Sequence, residues 1–280
     1  MAIETRELTV ASDGVRLSVS DSGEGPPVVL LHGLTATRRY VVMGSTTLQR
    51  DGHRVIAYDA RGHGRSTPAP RPDAYGYDVL AADLLAVLDA LDVQRALLAG
   101  ASMGAHTAAR LTLDHPERVA ALGLITPAFD PRVGTPVQAL AAWDALSDGL
   151  RAGGVEGFVA AYEATRAISP AYRDTLLTVL RQRLSAHEHP EAVADALRVV
   201  PRSWPFESLD DLARLSVPTL VVGDRDEADP EHPLAVAQTY AATIPGARLA
   251  VEPEGRSPLA WQGGQLSRLL VELARRAAVT

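Results

Sequence analysis

The chain has 280 residues, with 27 basic and 34 acidic side chains and a formal net charge of −7. All 27 basic residues are arginine, and lysine, cysteine and asparagine are absent. This composition excludes lysine Schiff-base chemistry, a phosphate-binding loop ending in Gly-Lys-Ser/Thr, disulfides, zinc fingers and iron–sulfur clusters. The negative charge balance argues against a nucleic-acid partner, which requires a clustered basic face.

The length and a hydrophobic content of 46% fit one large globular domain. No apolar run approaches the ~18 residues of a membrane span. The segment from Met1 to Glu7 has acidic residues and no apolar core, unlike a signal peptide. We therefore expect a cytoplasmic protein without membrane association, cofactor or metal. A small-molecule substrate or ligand is the expected partner, and the formation of a homodimer is left open.

Short apolar runs between turn residues predict strands in the first third of the chain. Residues 6–10 and 15–20 flank Ser12-Asp13-Gly14 and predict a hairpin. Val28 to Leu31 predicts a strand that is buried on both faces. Strand and helix patterns then alternate, with strands predicted at 54–58, 96–99 and 119–125 and helices at 77–91 and 103–113. This alternation implies a mostly parallel sheet with helices on both faces.

Strand patterns disappear in residues 128–214, where alanine-rich helical patterns dominate. The alternation resumes afterwards, with strands predicted at 217–222 and 248–251 and helices at 233–242 and 259–277. We therefore predict an α/β fold with an eight-stranded sheet, in which a helical cap follows the sixth strand. The core comprises residues 1–127 and 215–280, and the cap residues 128–214.

The predicted strand at 96–99 is followed by Gly100-Ala101-Ser102-Met103-Gly104 and then by a helix. This is the G-x-S-x-G pattern in its strand–turn–helix context. Glycine is needed at both positions because the sharp turn brings backbone segments into contact. The turn lifts the hydroxyl of Ser102 above a helix N-terminus, which favours developing negative charge. Ser102 is therefore predicted to be a nucleophile.

With this motif, the sequence resembles the α/β-hydrolase superfamily, in particular its lidded branch of esterases, lactonases, haloperoxidase-like enzymes and epoxide hydrolases. Three further segments are similar to motifs of that family and occur in the family's order: His32-Gly33-Leu34-Thr35, Asp59 to Ser66, and Gly223-Asp224-Arg225-Asp226. The resemblance covers essentially the whole chain and implies the α/β-hydrolase fold.

The resemblance also implies roles for individual residues. Ser102 would be the nucleophile and Asp226 the triad acid, while the backbone N–H groups of Leu34 and Met103 would form the oxyanion hole. A serine at position 102 argues against the branches that use a carboxylate nucleophile. Two other carboxylates are kept as alternatives for the acid: Asp224 and Asp130.

The pattern breaks where the family places its catalytic histidine. The stretch reads Glu254-Gly255-Arg256-Ser257-Pro258, and no histidine follows His232. Arginine stays protonated and cannot accept the proton of a serine. Loss of the base of a serine triad costs on the order of 10⁴-fold in rate. His232, in the loop that follows Asp226, is kept as a candidate surrogate base.

Three interpretations of Arg256 are left open. It pairs with a buried Asp226, it binds a substrate carboxylate or polarises a carbonyl group above Ser102, or it is an engineered or accidental replacement. In each case Arg256 is a candidate member of the catalytic site.

The expected substrate pocket combines the loop after the third strand with apolar side chains of the cap. Its candidate residues are His32, Gly33, Phe129, Trp143, Tyr162 and Trp204. We predict an enzyme that acts on a small organic ester, lactone or related carbonyl compound, with hydrolysis weakened or altered by the missing histidine. Two alternatives are a non-hydrolytic lyase, cyclase or decarboxylase, and a catalytically dead protein that binds a small ligand.

Overall fold

A computed structural model of the protein describes residues 3–278, in which eight strands form one sheet of order β1-β2-β4-β3-β5-β6-β7-β8. The strands are β1 Thr5–Ser12, β2 Val15–Ser22, β3 Pro27–Leu31, β4 Arg54–Tyr58, β5 Ala96–Ala101, β6 Val119–Ile125, β7 Thr219–Gly223 and β8 Arg248–Val251. The β1–β2 and β2–β4 pairs are antiparallel, and the other neighbouring strands are parallel. The prediction of a mostly parallel eight-stranded sheet is confirmed.

Helices connect the strands and cover the sheet. Within the described part of the chain they are α1 Thr47–Arg50, α2 Tyr77–Ala90, α3 Met103–Asp114, α4 Val137–Thr165, α5 Arg173–Leu184, α6 Pro190–Val199, α7 Leu209–Ala213, α8 Leu234–Thr243 and α9 Gly263–Ala277. Helix α4 is interrupted by non-helical backbone at Gly153 and Gly154. It therefore consists of two helical stretches, because two adjacent glycines favour a break.

The core lies on both faces of the sheet, because successive residues of a strand point to opposite sides. Leu98 of β5 packs into one cluster with Leu84 of α2 and Leu111 of α3. Its neighbour Leu97 packs on the other face with Leu270 of α9. Since β3 to β8 are parallel, the loops that follow these strands meet at one edge of the sheet.

Helices α4 to α7 all lie between β6 and β7 in the chain. We call residues 126–218 the helical insertion. Its apolar side chains, among them Phe158 and Leu197, form a third cluster that also contains Leu34 and Met103 of the core. The insertion therefore packs over the edge of the sheet where the strand-end loops meet. None of the helices within residues 3–278 is long and apolar enough to cross a lipid bilayer.

Candidate functional site

Ser102 occupies a strained turn between β5 and α3. Its backbone angles are φ +51° and ψ −112°, in a region that residues other than glycine rarely adopt. The amide of Ser102 donates to the carbonyl of Ile125 at 2.9 Å, and α3 begins at the next residue, Met103. Such strain costs about 1–3 kcal/mol and persists only where the surroundings over-determine it.

The two glycines of the motif are required by direct backbone contacts. A Cβ at Gly100 would lie 2.1 Å from the carbonyl oxygen of Gly104. A Cβ at Gly104 would lie 2.3 Å from the carbonyl oxygen of Leu31 in β3. No side chain fits at these distances, so the close approach of β3, β5 and α3 depends on both glycines.

The loop after β3, residues 32–37, faces Ser102 and is oriented by His32. The Nδ1 atom of His32 lies 2.8 Å from the carbonyl oxygen of Gly33, and Nε2 accepts from the amide of Ala60 at 2.9 Å. Because Nε2 accepts, Nδ1 carries the proton and donates to Gly33. The C=O and N–H of a trans peptide point in opposite directions, so this bond turns the amide of Leu34 away from His32.

The amides of Leu34 and Met103 are the two groups predicted to form an oxyanion hole. Within residues 3–278, neither of these N–H groups donates a hydrogen bond to another protein atom. Leu34, Met103 and Ser102 line the same cavity. The residues that carry the two amides and the serine hydroxyl therefore share one cavity.

Two further histidines hold the same loop from outside it. His63 Nε2 lies 2.6 Å from the carbonyl oxygen of Leu34. His187, in the helical insertion, places Nε2 3.2 Å from the carbonyl oxygen of Thr35 and accepts from the amide of Gly64 through Nδ1 at 2.8 Å. Three consecutive carbonyl groups of the loop therefore each face a different imidazole.

His32 and His187 are neutral in the folded protein. Burial lowers the pKa of His32 to about 3 and that of His187 to about 3, and in both cases His63 lowers it further. Burial also lowers the pKa of His63 itself. A neutral ring keeps one nitrogen lone pair, which His32 and His187 use to accept backbone N–H groups.

Two adjoining cavities open at Ser102. The first cavity has a volume of about 170 Å³ and is lined largely by apolar side chains of the insertion, including Leu146, Phe158 and Leu180. The second cavity has a volume of about 340 Å³ and extends towards Pro136. Five residues line both cavities: Leu34, Ser102, Ala128, Trp143 and Glu231. The arrangement offers room for two parts of a small substrate on either side of the serine.

The residues predicted for the pocket lie at different places. Gly33 and Tyr162 line the first cavity, Phe129 lines the second, and Trp143 lines both. His32 lines neither and supports the loop from below, as its hydrogen bonds show. Trp204 also lines neither: its side chain is 41% exposed and packs edge-on against Phe129, with ring centroids 5.3 Å apart.

Asp226 and Arg256 are not brought together, and neither lines either cavity. Exposed Asp226 accepts from the amide of Leu234 at 2.6 Å and so caps the N-terminus of α8. Arg256 is exposed at the end of a tight turn in which its amide donates to the carbonyl of Pro253. Gly255 in that turn has φ +72°, a left-handed conformation that glycine adopts readily. No ion pair joins Asp226 to Arg256 in the described residues.

Neither of the two alternative acids lines the first cavity. Asp130 is paired with Arg132, with 2.6 Å between the nearest atoms. Asp224 is fully buried and accepts from the amide of Ala260 at 3.3 Å. Burial, with the nearby charges of Asp229 and Glu252, raises the pKa of Asp224 to about 7.

A cluster of charged side chains that the motifs do not indicate lines the first cavity: Arg183, Asp229, Glu231 and His232. Nδ1 of His232 lies 2.9 Å from Oδ2 of Asp229. Glu231 is paired with Arg166 at 2.5 Å. Burial lowers the pKa of Arg183, whose guanidinium lies 5.4 Å from the ring centroid of Tyr40. Asp229, Glu231 and Arg183 carry no sequence signal of their own, and His232 appears only as a histidine near Asp226.

His106, one turn after Ser102, belongs to the core. Its Nε2 accepts from the amides of Ala128 and Phe129 at 3.2 Å each, and Nδ1 lies 3.0 Å from the hydroxyl of Tyr77. Burial lowers the pKa of His106 to about 3, and His232 lowers it further. His106 is thus a neutral structural side chain that is electrostatically coupled to His232.

Comparisons with known proteins identify the fold family of the chain. Residues 26–261 match the family described as alpha/beta hydrolase fold. The chain is 30% identical to a putative non-heme chloroperoxidase of Synechocystis sp., over 90% of this chain and 92% of that protein. The structure resembles that of a thermophilic esterase from Thermogutta terrifontis, solved with malate bound, with a TM-score of 0.79, 26% identity, and coverage of 97% of this chain and 99% of that chain.

Some similarities are confined to part of the chain. A putative non-heme haloperoxidase of Mycobacterium phage D29 is 40% identical over 44% of this chain, and the match spans 43% of that protein. The match to the fold family, in contrast, includes every segment that carries a motif. The chain belongs to the α/β-hydrolase fold family.

Proposed function

We propose that this protein is a serine-dependent hydrolase of small esters, lactones or related carbonyl compounds. The observation that carries the proposal is the strained backbone of Ser102, with φ +51°, at the junction of two cavities. Strain of this kind is retained where it presents a reactive group. The free amides of Leu34 and Met103 lie at the same cavity and supply the donors that an oxyanion needs.

In this reaction the Oγ of Ser102 attacks the carbonyl carbon of the substrate, and the carbonyl oxygen becomes an oxyanion. The amides of Leu34 and Met103 donate to that oxygen, aided by the N-terminus of α3. Collapse of the intermediate expels the alcohol and leaves an acyl group on Ser102. Water then attacks the acyl group and regenerates the serine.

The cavities support small, partly apolar substrates. We propose that the helical insertion serves as the cap, because it supplies the apolar walls around Ser102. Arg183 is the one arginine among the residues that line the first cavity, and no ion pair joins it to a carboxylate within residues 3–278. Substrates with an anionic group next to the acyl chain fit this wall.

Arg256 stands at the position where the family's histidine is expected, and we propose that it takes no part in proton transfer. Its guanidinium is exposed and outside both cavities. Arginine also cannot accept a proton near neutral pH. Serine-dependent hydrolysis in this chain therefore needs its base from another residue.

The proposal is tested with p-nitrophenyl acetate, p-nitrophenyl hexanoate and γ-butyrolactone. We expect Ser102→Ala to lower kcat/KM by on the order of 10³-fold or more, because the nucleophile is lost. Exposed Ser257→Ala is the matched control and is expected to leave kcat/KM unchanged. Equal turnover by wild type and Ser102→Ala, or no turnover of any of the three by wild type, contradicts the proposal.

A further inference from the structure

We propose that His232 is the general base for Ser102 and that Asp229 is the carboxylate that orients it. The inference rests on the proposed serine-dependent hydrolysis. In this arrangement both members of the acid–base pair come from the loop after β7, residues 224–233. The loop after β8, which holds Arg256, supplies none of the reacting groups.

The orientation of the imidazole carries the inference. Nδ1 of His232 donates to Oδ2 of Asp229 at 2.9 Å, because a carboxylate only accepts. This bond fixes the tautomer and leaves the lone pair on Nε2. Within the described residues, Nε2 of His232 has no hydrogen-bond partner. His232, Asp229 and Ser102 all line the first cavity, so the imidazole and the serine border the same space.

The local sequence explains how one loop supplies both groups. The amide of His232 donates to the carbonyl of Asp229 at 3.1 Å, which closes a turn and places the two side chains on one side. Pro230 and Pro233 restrict the backbone within and after this turn. Asp226 holds the far end of the loop to the start of α8. The side chains of His232 and Asp229 are only 19% and 18% exposed, so the pair is held against the cavity.

The charges around His232 and Asp229 favour the protonated form of the His232 ring, which occurs during the reaction. Burial lowers the pKa of His232, but Asp229, Glu231 and Asp224 outweigh it and raise the pKa above 6.5. Burial raises the pKa of Asp229, but His232 and Arg183 outweigh it and keep this carboxylate ionised.

The remaining charged neighbours are on other elements. Arg166, which directly follows α4, is paired with Glu231. Arg183 on α5 acts on Asp229, and His106 on α3 is itself neutral. The carboxylates around His232 together outweigh its burial, so the protonated ring is favoured. Such surroundings stabilise the imidazolium that forms when the ring takes a proton from serine.

The proton balance of the step is complete with these residues. As Oγ of Ser102 bonds to the carbonyl carbon, its proton moves to Nε2 of His232 and the π electrons of the carbonyl move to its oxygen. When the intermediate collapses, the bond to the leaving alkoxide breaks, and that oxygen takes the proton from Nε2. In the second half, water gives its proton to Nε2 and its oxygen to the acyl carbon, and the serine leaves as a hydroxyl.

The experiment compares His232→Gln, Asp229→Asn and wild type with p-nitrophenyl acetate as probe across pH 5 to 9. We expect His232→Gln to lower kcat about 10³-fold with KM within about threefold, because the base acts in the transition state. We expect Asp229→Asn to shift the acidic limb of the kcat/KM profile to lower pH, since the carboxylate raises the pKa of His232. The surface pair His115 and Glu117, 3.4 Å apart, provides the matched control His115→Gln, which is expected to behave as wild type.

A second variant distinguishes loss of the base from loss of folding. His232→Ala leaves space for exogenous imidazole, which is expected to restore turnover in a concentration-dependent manner. Wild-type kcat and pH profile in His232→Gln, or no rescue of a folded His232→Ala, overturns the inference. Ser102→Ala is run in the same assay: if it is inactive while His232→Gln is fully active, the hydrolase proposal stands and only the base assignment fails. Full activity of Ser102→Ala contradicts the hydrolase proposal itself.

Discussion

The two sides of Ser102 are built on different physical principles. On one side, the turn of Ser102 is fixed by contacts between backbone atoms at Gly100 and Gly104, and buried imidazoles hold the loop after β3. On the other side, the loops after β7 and β8 are shaped by turns and by side-chain hydrogen bonds, such as that between Asp226 and Leu234. The G-x-S-x-G motif depends on backbone contacts and therefore predicts the conformation of the turn. The segments that hold Asp226 and Arg256 are recognised by spacing alone, which predicts the loop but not the direction of its side chains.

The largest effect is expected from Gly104→Ala, which lies on the side fixed by backbone contacts and changes the stability of the fold. The added Cβ would meet the carbonyl oxygen of Leu31 at 2.3 Å, so the strands and α3 must separate. We expect the free energy of unfolding to fall by about 3 kcal/mol, the upper part of the range for overpacking. Urea denaturation measures this. Gly153→Ala is the control, because an added Cβ there has no atom within 4 Å. Equal losses in both variants would refute steric contact as the cause.

A smaller effect, which depends on pH, is expected from the histidines that hold the loop after β3. The folded-state pKa of His187 is about 3, below its ordinary value of 6.5. Below pH 6.5 the unfolded chain therefore binds a proton that the folded chain does not, and stability falls with falling pH by up to about 1.4 kcal/mol per pH unit for each such group. His32 and His106 contribute in the same direction.

His187→Gln isolates this contribution, because the amide side chain can still accept and donate without titrating. We expect its free energy of unfolding to fall less steeply than that of wild type between pH 6.5 and 4.5, as measured by denaturation at each pH. Exposed His115→Gln serves as the control. A slope identical to wild type in His187→Gln would show that this ring is not held neutral by the fold.

The smallest effect is expected from Arg256→Ala on the side shaped by turns. The Arg256 side chain is exposed and lines neither cavity, so we expect kcat/KM to change by less than about threefold. Steady-state kinetics with p-nitrophenyl acetate measure it. A loss of tenfold or more in kcat/KM would show that Arg256 takes part in the reaction. It would also contradict the difference between the two sides of Ser102.

The sequence predicts the fold and the backbone-fixed half of the site because these depend on local requirements. Alternating apolar patterns fix the strands of the sheet, and the glycines around Ser102 have no sterically acceptable substitute. Contacts from the helical insertion are not predictable in this way. His187 reaches Gly64 and Thr35 across 123 and 152 residues of sequence, and no local pattern in residues 126–218 encodes that approach.

The acid and the base of the proposed site are the residues that the sequence predicts least well. The resemblance assigns Asp226 and Arg256, yet a hydrogen bond to Leu234 holds the first at the surface and a glycine turn exposes the second. Asp229 and His232 lie in a turn whose direction depends on tertiary packing. The sequence places Asp229 and His232 in the same loop as Asp226, next to the loop that holds Arg256. Only the folded structure shows that Asp229 and His232 line the first cavity.

The central claim is that Ser102 is in place while its base comes from the loop after β7. The most direct measurement is the rate at which a fluorophosphonate modifies Ser102, followed by intact-protein mass and peptide mapping at pH 8 in wild type, His232→Gln and Arg256→Ala. We predict modification at Ser102 at equal rates in wild type and Arg256→Ala, and about 100-fold slower modification in His232→Gln. Slow modification in Arg256→Ala together with a wild-type rate in His232→Gln would contradict it.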